Sequence, residues 1–488
     1  MNKRVKRIGV WLAALCGVMG VCAAALAFSV FLILRPAPGE WTETVRLGRW
    51  RQDVSMPTLL RMATHPFTLG LLEGRRLNTR FGPVQGSADA KPGTWRIVCA
   101  PCSFERRELG RERIVLSRVE FTLERDLQMK LHGTFTLGNA PKAVRGRWSA
   151  RIEADQAELK FNLPDTPLDH AFGLFASAIP ELTRAHIEGS LGLTARLRLP
   201  SRELSIQPRI EGFSVAGLGT EALLGAVPGC GAKHAGTSFG SWLPRAVIAA
   251  EDQRFYEHTG YDLTEIVAAW GGRQTAAHDD SEHLRGASTL SQQLAKLIYT
   301  GDRPSHVRKL RELLYAVELD RTLGKARVLN LYLAMAPWAD GQCGAHAAAQ
   351  ALLGKRAAAL TPVEAAWLAS LLRNPNAALA QMVRSGEVDV RRVGGVIEGM
   401  RPMPLARRLA ARQALETWRP DWLGPAANAP QAPQRSATAA QSALAAQRSE
   451  PAAPSALAAA AQEGPADKAW AGLPGAGPGE ATNAPAAP

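Results

Sequence analysis

Acidic residues are in short supply in this chain. Its 488 residues hold 44 Asp and Glu against 58 Lys and Arg, a formal net charge of +14. That balance suits an anionic partner: a membrane face, a phosphate-bearing substrate or nucleic acid. Cysteine is scarce, with six residues in all. The pair in Cys99-Ala-Pro-Cys102 has the form of a redox or metal half-site, and one pair alone is not a zinc site, since four ligands are usual. A local disulfide or two free thiols are the plainer readings of that pair. Charge is missing entirely from Ile8 to Leu34. Apolar periodicity is missing after about 425, where Ala, Pro, Gly, Gln and Ser dominate; a packed domain is excluded there and a disordered tail is expected over 425–488.

The uncharged run decides among the anionic partners. At ~1.5 Å per residue, 8–34 reaches across a ~30 Å hydrocarbon core with some tilt. Lys3, Arg4, Lys6 and Arg7 precede it in a basic segment, 1–7, that belongs on the cytoplasmic side. A cleaved signal peptide competes, since Ala25 and Ala27 are small, but the apolar run continues through "FSVFLIL". The expectation is a single-pass inner-membrane helix with the bulk of the chain in the periplasm. Nucleic acid is not an expected partner. Cys99, Cys102, Cys230 and Cys343 then face an oxidising compartment.

Residues 40–230 read as a β-rich module. "RIVLSRVEFTLERDLQMKLHGTFTL" and "AHIEGSLGLTARLRL" alternate apolar and polar at period two, with one helical insertion near "LDHAFGLFASAIPEL". This stretch holds no constellation of acid, His and nucleophile, so a structural or binding role is expected. From 235 to 424 the pattern turns helical. Ser241 precedes a helix read through "WLPRAVIAAEDQRFYEH", with Gly260 past its end. Ser288 is the expected cap of "TLSQQLAKLIY", with Leu290, Leu294, Leu297 and Ile298 on one face. Val307, Leu310, Leu314 and Val317 mark another helix, and Thr361, Pro362 and Glu364 open a further one with a capping box.

Three helical segments carry polar residues that helix propensity does not demand. In "EDQRFYEHTGYD", Glu251 and Asp252 sit where the macrodipole favours cations. An isolated acid there is more often solvated, and His258 more often a bonded structural residue. "RGASTLSQQLAK" offers Ser288, Thr289, Gln292 and Gln293 as neutral donors and acceptors for sugar or phosphate oxygens, with Lys296 four residues beyond Gln292; an exposed polar helix is the bland account. In "RPSHVRKLRELLYAVELDR", Arg303, Arg308, Lys309 and Arg311 surround Glu312. An ordinary i,i+4 pair of ~0.2–0.5 kcal/mol explains Arg308 with Glu312 cheaply. The same cluster also makes a cradle for a diphosphate.

"EDQRFYEHTGYD", "GASTLSQQLAK", "RKLRE" and "LTPVEAAWLASLLRNP", in this order, resemble the motifs of glycosyltransferase family 51 over about 235–380. These are the peptidoglycan glycosyltransferase domains of penicillin-binding proteins and of monofunctional transglycosylases. The resemblance implies a mostly helical, lysozyme-like domain acting on lipid II and the growing glycan chain, with other cell-wall synthesis proteins as expected partners of the 40–230 module. It makes Glu251 the general base on the acceptor 4-hydroxyl, and Glu312 the second glutamate, near the departing diphosphate. It gives Lys296, Arg303 and Lys309 the leaving charge to neutralise, beside Arg308 and Lys325. A divalent cation such as Mg²⁺ or Mn²⁺ shares that task in the family. Asp252, Phe255 and His258 would shape and support the site. Departures gather at 324–344. Gly324-Lys325 stands for Ser-Lys, Asn330 and Ala334 replace a Glu and an Asn, and "PWADGQCG" keeps only Gly341 and Gly344; Leu297 replaces an Asn. No ordered S-x-x-K, S-x-N and K-T-G set follows, so no transpeptidase is expected. Cys343 takes the place of a family aromatic, and Cys230 lies just upstream of the first motif. The two can pair, with separate buried thiols as the alternative. A catalytically weakened envelope scaffold and a glycan-cleaving hydrolase are the competing functions.

Overall fold

The computed structural model describes residues 17–423, apart from 23–24, 26–27, 30–31, 48–49, 105–113, 127–129, 228–229, 231–237, 268–287 and 304. The expected membrane span falls in large part outside the described residues, and the tail wholly so. Backbone at 17–22, 25, 28–29 and 32–33 is helical; among the described residues no helix is long and apolar enough to cross a membrane.

A β-rich part precedes a helical part, as the two periodicities predict. β1 (Thr42–Leu47) and β2 (Trp50–Ser55) form a hairpin, followed by α1 (Met56–Ala63) and α2 (Pro66–Leu71). Then come β3 (Arg76–Thr79), β4 (Gly82–Ala88), β5 (Thr94–Cys99), the small hairpin β6 (Cys102–Phe104) and β7 (Ile114–Leu116), β8 (Val119–Arg125), β9 (Leu131–Leu137), β10 (Val144–Ile152) and β11 (Ala157–Pro167). After α3 (Leu168–Gly173), the long strands β12 (His186–Leu199) and β13 (Glu203–Ala216) complete a nine-stranded antiparallel sheet, ordered β13-β12-β11-β10-β9-β8-β5-β4-β3.

Register makes this sheet one-sided. On β10, Val144, Gly146, Trp148, Ala150 and Ile152 point one way and Arg145, Arg147, Ser149 and Arg151 the other. Leu69 of α2 packs on the apolar face with Leu123, Leu131 and Ala150. Phe121 and Phe135 lie 6.1 Å apart between centroids, and Phe135 reaches Phe161 at 6.4 Å across Gly146, where a Cβ would collide with the Phe135 ring.

The helical part comprises α4 (Trp242–Glu251), α5 (Leu290–Ala295), α6 (His306–Met335), α7 (Ala345–Leu353), α8 (Pro362–Ser370), α9 (Pro375–Ser385), α10 (Val390–Gly399) and α11 (Leu405–Thr417). Four local expectations are corrected. The helix read through His258 stops at Glu251, because Asp252 leaves helical geometry and its carboxylate bonds the start of α5. Gly260 is not its terminator: at φ +91° it brings backbone against α6, where a Cβ would sit 2.5 Å from the Ala316 carbonyl oxygen. The cap of α5 is Thr289, one residue after Ser288, in a reciprocal box with Gln292. The expected single helix through Tyr299 splits, with a π-turn from Lys296 to Thr300. The box at Thr361 and Glu364 forms as read, and Asn374 caps α9. α6 breaks at Gly324, whose φ 72° and ψ 162° are essentially open to glycine alone.

The sheet end and the helices share one core, in which Phe172, Phe213 and Val215 join Leu243, Phe255 and Leu314. Polar bonds recur along one face of α6. Glu181 accepts from Arg311 Nε and Nη2 at 2.6–3.0 Å, Arg184 donates to Tyr315 Oη at 3.3 Å, the Leu218 amide donates to Glu318 at 2.9 and 3.0 Å, and Thr220 meets Thr322 at 2.8 Å. Arg311, Tyr315, Glu318 and Thr322 recur at each turn of helix, so the β-rich part grips one face of α6.

The structure pairs Cys99 with Cys102 and Cys230 with Cys343, at Cα separations of 5.4 and 6.0 Å. The second bond spans 113 residues and ties the segment before α4 to the departed loop after α6. Replacing both Cys230 and Cys343 by Ser is expected to lower unfolding free energy by about 2–5 kcal/mol, because the unfolded chain regains a long loop's entropy. Chemical denaturation with and without reductant checks this, and the double variant should keep only the response that reduction of the short Cys99–Cys102 loop produces.

Candidate active site

α4 is held from below by its apolar positions Leu243, Ala246, Val247 and Ala249, all buried. Its last residue, Glu251, is thereby pushed to the rim of a cavity of about 230 Å³. Glu251, Asp252, Ser288, Thr289, Arg373 and Arg392 line this cavity. Glu251 is half-buried, and its Oε2 accepts from Gln293 Nε2 at 3.0 Å. Gln293 Oε1 in turn accepts from Tyr332 Oη at 2.8 Å. Burial pushes the Glu251 carboxyl pKa up; the Gln293 bond and the charges of Arg392 and Arg373 oppose this, and Asp252 adds to it. A carboxylate with a raised pKa at a cavity rim is suited to take a proton from a hydroxyl.

A second layer fixes this corner. Asp252 is buried and accepts from the Leu290 amide at 2.9 Å and from His258 Nε2 at 3.1 Å. Lys325 Nζ lies 3.2 Å from His258 Nδ1. An ammonium has no lone pair, so Nδ1 accepts and Nε2 carries the proton given to Asp252. Lys325 also pairs with Asp320 at 2.5 Å, Asp320 accepts from Ser291 Oγ at 2.6 Å, and the ammonium sits 4.5 Å from the Phe255 ring centroid. The Gly324 break is what turns Lys325 into this knot. Phe255, His258 and Lys325 thus join the turn after α4 to α5 and α6. Thr289 and Gln292 are committed to the α5 cap, and Thr289 Oγ1 also donates to the Gly260 carbonyl at 2.6 Å.

Glu312, fully buried, lies 2.7 Å from Arg308 Nη1 and 2.7 Å from Lys309 Nζ. Lys309 Nζ also donates to Ser288 Oγ at 2.7 Å. Ser288 therefore joins the Glu251 cavity to the basic cluster. Lys296 and Arg303 do not line the cavity; Lys296 pairs with Asp302 at 2.6 Å and Arg303 is exposed. Among the described residues no group of three or more His, Cys, Asp or Glu side chains is placed to hold a metal ion, and both Glu312 oxygens face cations. Among the described residues, the Glu312 carboxylate is taken up by Arg308 and Lys309 and does not fit a resident divalent cation.

Tyr332, Asp320, Arg373 and Arg392 carry contacts that sequence reading missed. Arg373 and Asp320 lie inside quoted segments, which was a usable signal. Tyr332, within the departed segment 324–344, keeps the tyrosine of the family pattern, which was a usable signal; its bond to Gln293, far along the chain, had none.

A family model described as Transglycosylase matches residues 235–400. A biosynthetic peptidoglycan transglycosylase of Rhodopseudomonas palustris (strain HaA2) is 41% identical over 170 residues, 35% of this chain and 65% of that protein. The protein of the same name from Shewanella frigidimarina (strain NCIMB 400) is 42% identical over 160 residues, 31% of this chain and 69% of the relative. One from Escherichia coli O1:K1 / APEC is 43% identical over 136 residues, 28% of this chain and 54% of the relative. The chain spans about half to two thirds of the length of these curated relatives.

Proposed function

Because this chain belongs to the biosynthetic peptidoglycan transglycosylase family, we propose that it polymerises lipid II into glycan chains with release of undecaprenyl diphosphate. The observation that carries this reading is the bridge through Ser288, which lines the cavity beside Glu251 and accepts from Lys309, one of the two cations on the buried Glu312. Glu251 takes the proton of the acceptor N-acetylglucosamine 4-hydroxyl as that oxygen attacks the donor's anomeric carbon. The C–O bond to the diphosphate breaks with inversion. Lys309 and Arg308 face the charge that develops on the leaving oxygen, where preorganised cations act most strongly. Glu312 keeps those two cations in place. A divalent cation, if used, arrives with the diphosphate rather than being held by these side chains.

The departures at 324–344 do not argue for an inert scaffold. Gly324 delivers Lys325 to the Asp252–His258 knot, and the Cys230–Cys343 bond ties down the altered loop. Both disulfides suit the periplasmic face, with 8–34 as the inner-membrane anchor. Purified full-length chain given lipid II is expected to yield glycan polymer. Folded protein that makes none would favour the scaffold, and soluble fragments released from finished peptidoglycan would favour a hydrolase.

A further inference from the structure

Gln293 touches Glu251 with its amide nitrogen, at 3.0 Å, and Tyr332 with its amide oxygen, at 2.8 Å. A primary amide fits such a slot in two orientations. With nitrogen toward Glu251, the carboxylate accepts, the amide oxygen accepts from the phenol, and every group is paired. With oxygen toward Glu251, two acceptors face one another unless Glu251 is protonated. The amide nitrogen would then donate to Tyr332 Oη, and the phenol hydrogen, buried at 3% exposure, would lose its acceptor. The phenol therefore selects the first orientation, and the first orientation favours the ionised carboxylate.

We infer that Tyr332 is a positioning residue that locks the Gln293 amide, so that Glu251 is held as a proton acceptor. The effect on rate rests on the reading of Glu251 as the general base; the lock itself rests on the hydrogen bonds. The groups facing Glu251 are Asp252 beside it in the chain, Gln293 from α5, Tyr332 from α6, Arg373 beyond α8 and Arg392 from α10. Tyr332→Phe alters no charge among them, so a shift in Glu251 reports the lock.

The test uses full-length Tyr332→Phe. Carboxyl ¹³C titration, with Glu251 assigned by difference from Glu251→Gln, reads the carboxyl directly, and the pH–rate profile of lipid II polymerisation reads its consequence. The titration midpoint is expected to rise by about one pH unit, a tenfold gain in proton affinity. The acid limb of the profile should move with it, so that rate is lost mainly on the acid side. Gln293→Met removes the amide and should raise the midpoint by itself; adding Tyr332→Phe to it should then shift nothing further. A midpoint unmoved in Tyr332→Phe overturns the lock, as does an undiminished shift in the Gln293→Met background. If Glu251→Gln still polymerises lipid II, the base assignment fails, and the ¹³C titration continues to judge the lock.

Discussion

Glu251→Gln is expected to cut glycan synthesis by at least ~10²-fold, the lower end of what a positioned base supplies, while making the folded protein more stable at neutral pH. The two effects share one cause. Burial raises the carboxyl pKa above its ordinary value near 4.5, which means the fold disfavours the charged form that the proposed base needs. Between the ordinary value and the raised one, the folded state binds more protons than the unfolded chain. Stability of the native protein therefore falls as pH rises through that window, and the deficit persists above it. Glutamine carries no charge and escapes this loss. It also keeps a group able to accept from Gln293. Thermal melts of both proteins on either side of the window, paired with lipid II turnover, check the prediction. The curves should converge below the ordinary carboxylate range and separate above it, with the variant higher. A variant that keeps more than about a tenth of the native rate, or that melts below the native protein at neutral pH, sinks the assignment.

The sequence disclosed those features that depend on short-range pattern. Period-two alternation found the sheet because each strand has one buried face, and β10 alternates almost residue by residue. The box at Thr361 and Glu364 was legible because both partners lie within one turn. Motif order brought Glu251, Ser288 and Glu312 into view together. Long-range partners escaped. Asp252 looks like the end of a helix that should continue, and only the Leu290 amide and His258, reached through the fold, explain why the helix stops there. Ser288 looks as good a cap as Thr289; its hydroxyl instead accepts from Lys309, 21 residues away. Tyr332 sits in a stretch read as a departure from its relatives, and its role depends on a bond to a residue 39 positions earlier. Nor does composition tell that Arg311, embedded in the basic cluster, is bound instead by Glu181 of the β-rich part.

Glu312→Gln is expected to do the reverse of Glu251→Gln, losing stability and activity together. Glu312 is wholly buried and its two oxygens each face a cation at 2.7 Å. Removing one charge from a buried ion pair leaves the other uncompensated, which costs about 3–5 kcal/mol where both partners are enclosed. Here the loss is softened, because the Lys309 side chain is 46% exposed and keeps its bond to Ser288. The Arg308 side chain is 13% exposed and has less recourse to water. A destabilisation of about 2–4 kcal/mol follows, at the lower side of that range. On the proposed mechanism activity falls for a separate reason: the cations assigned to the leaving diphosphate lose the anchor that sets their positions, and electrostatic stabilisation depends on groups being in place before charge develops. Urea unfolding of the native protein, Glu251→Gln and Glu312→Gln side by side gives the decisive comparison. The two glutamine variants should move in opposite directions at neutral pH although each removes one carboxylate of the same site. Glu312→Gln unfolding with the native midpoint would mean that the pair contributes nothing net, and that Arg308 and Lys309 are held by some other part of the fold.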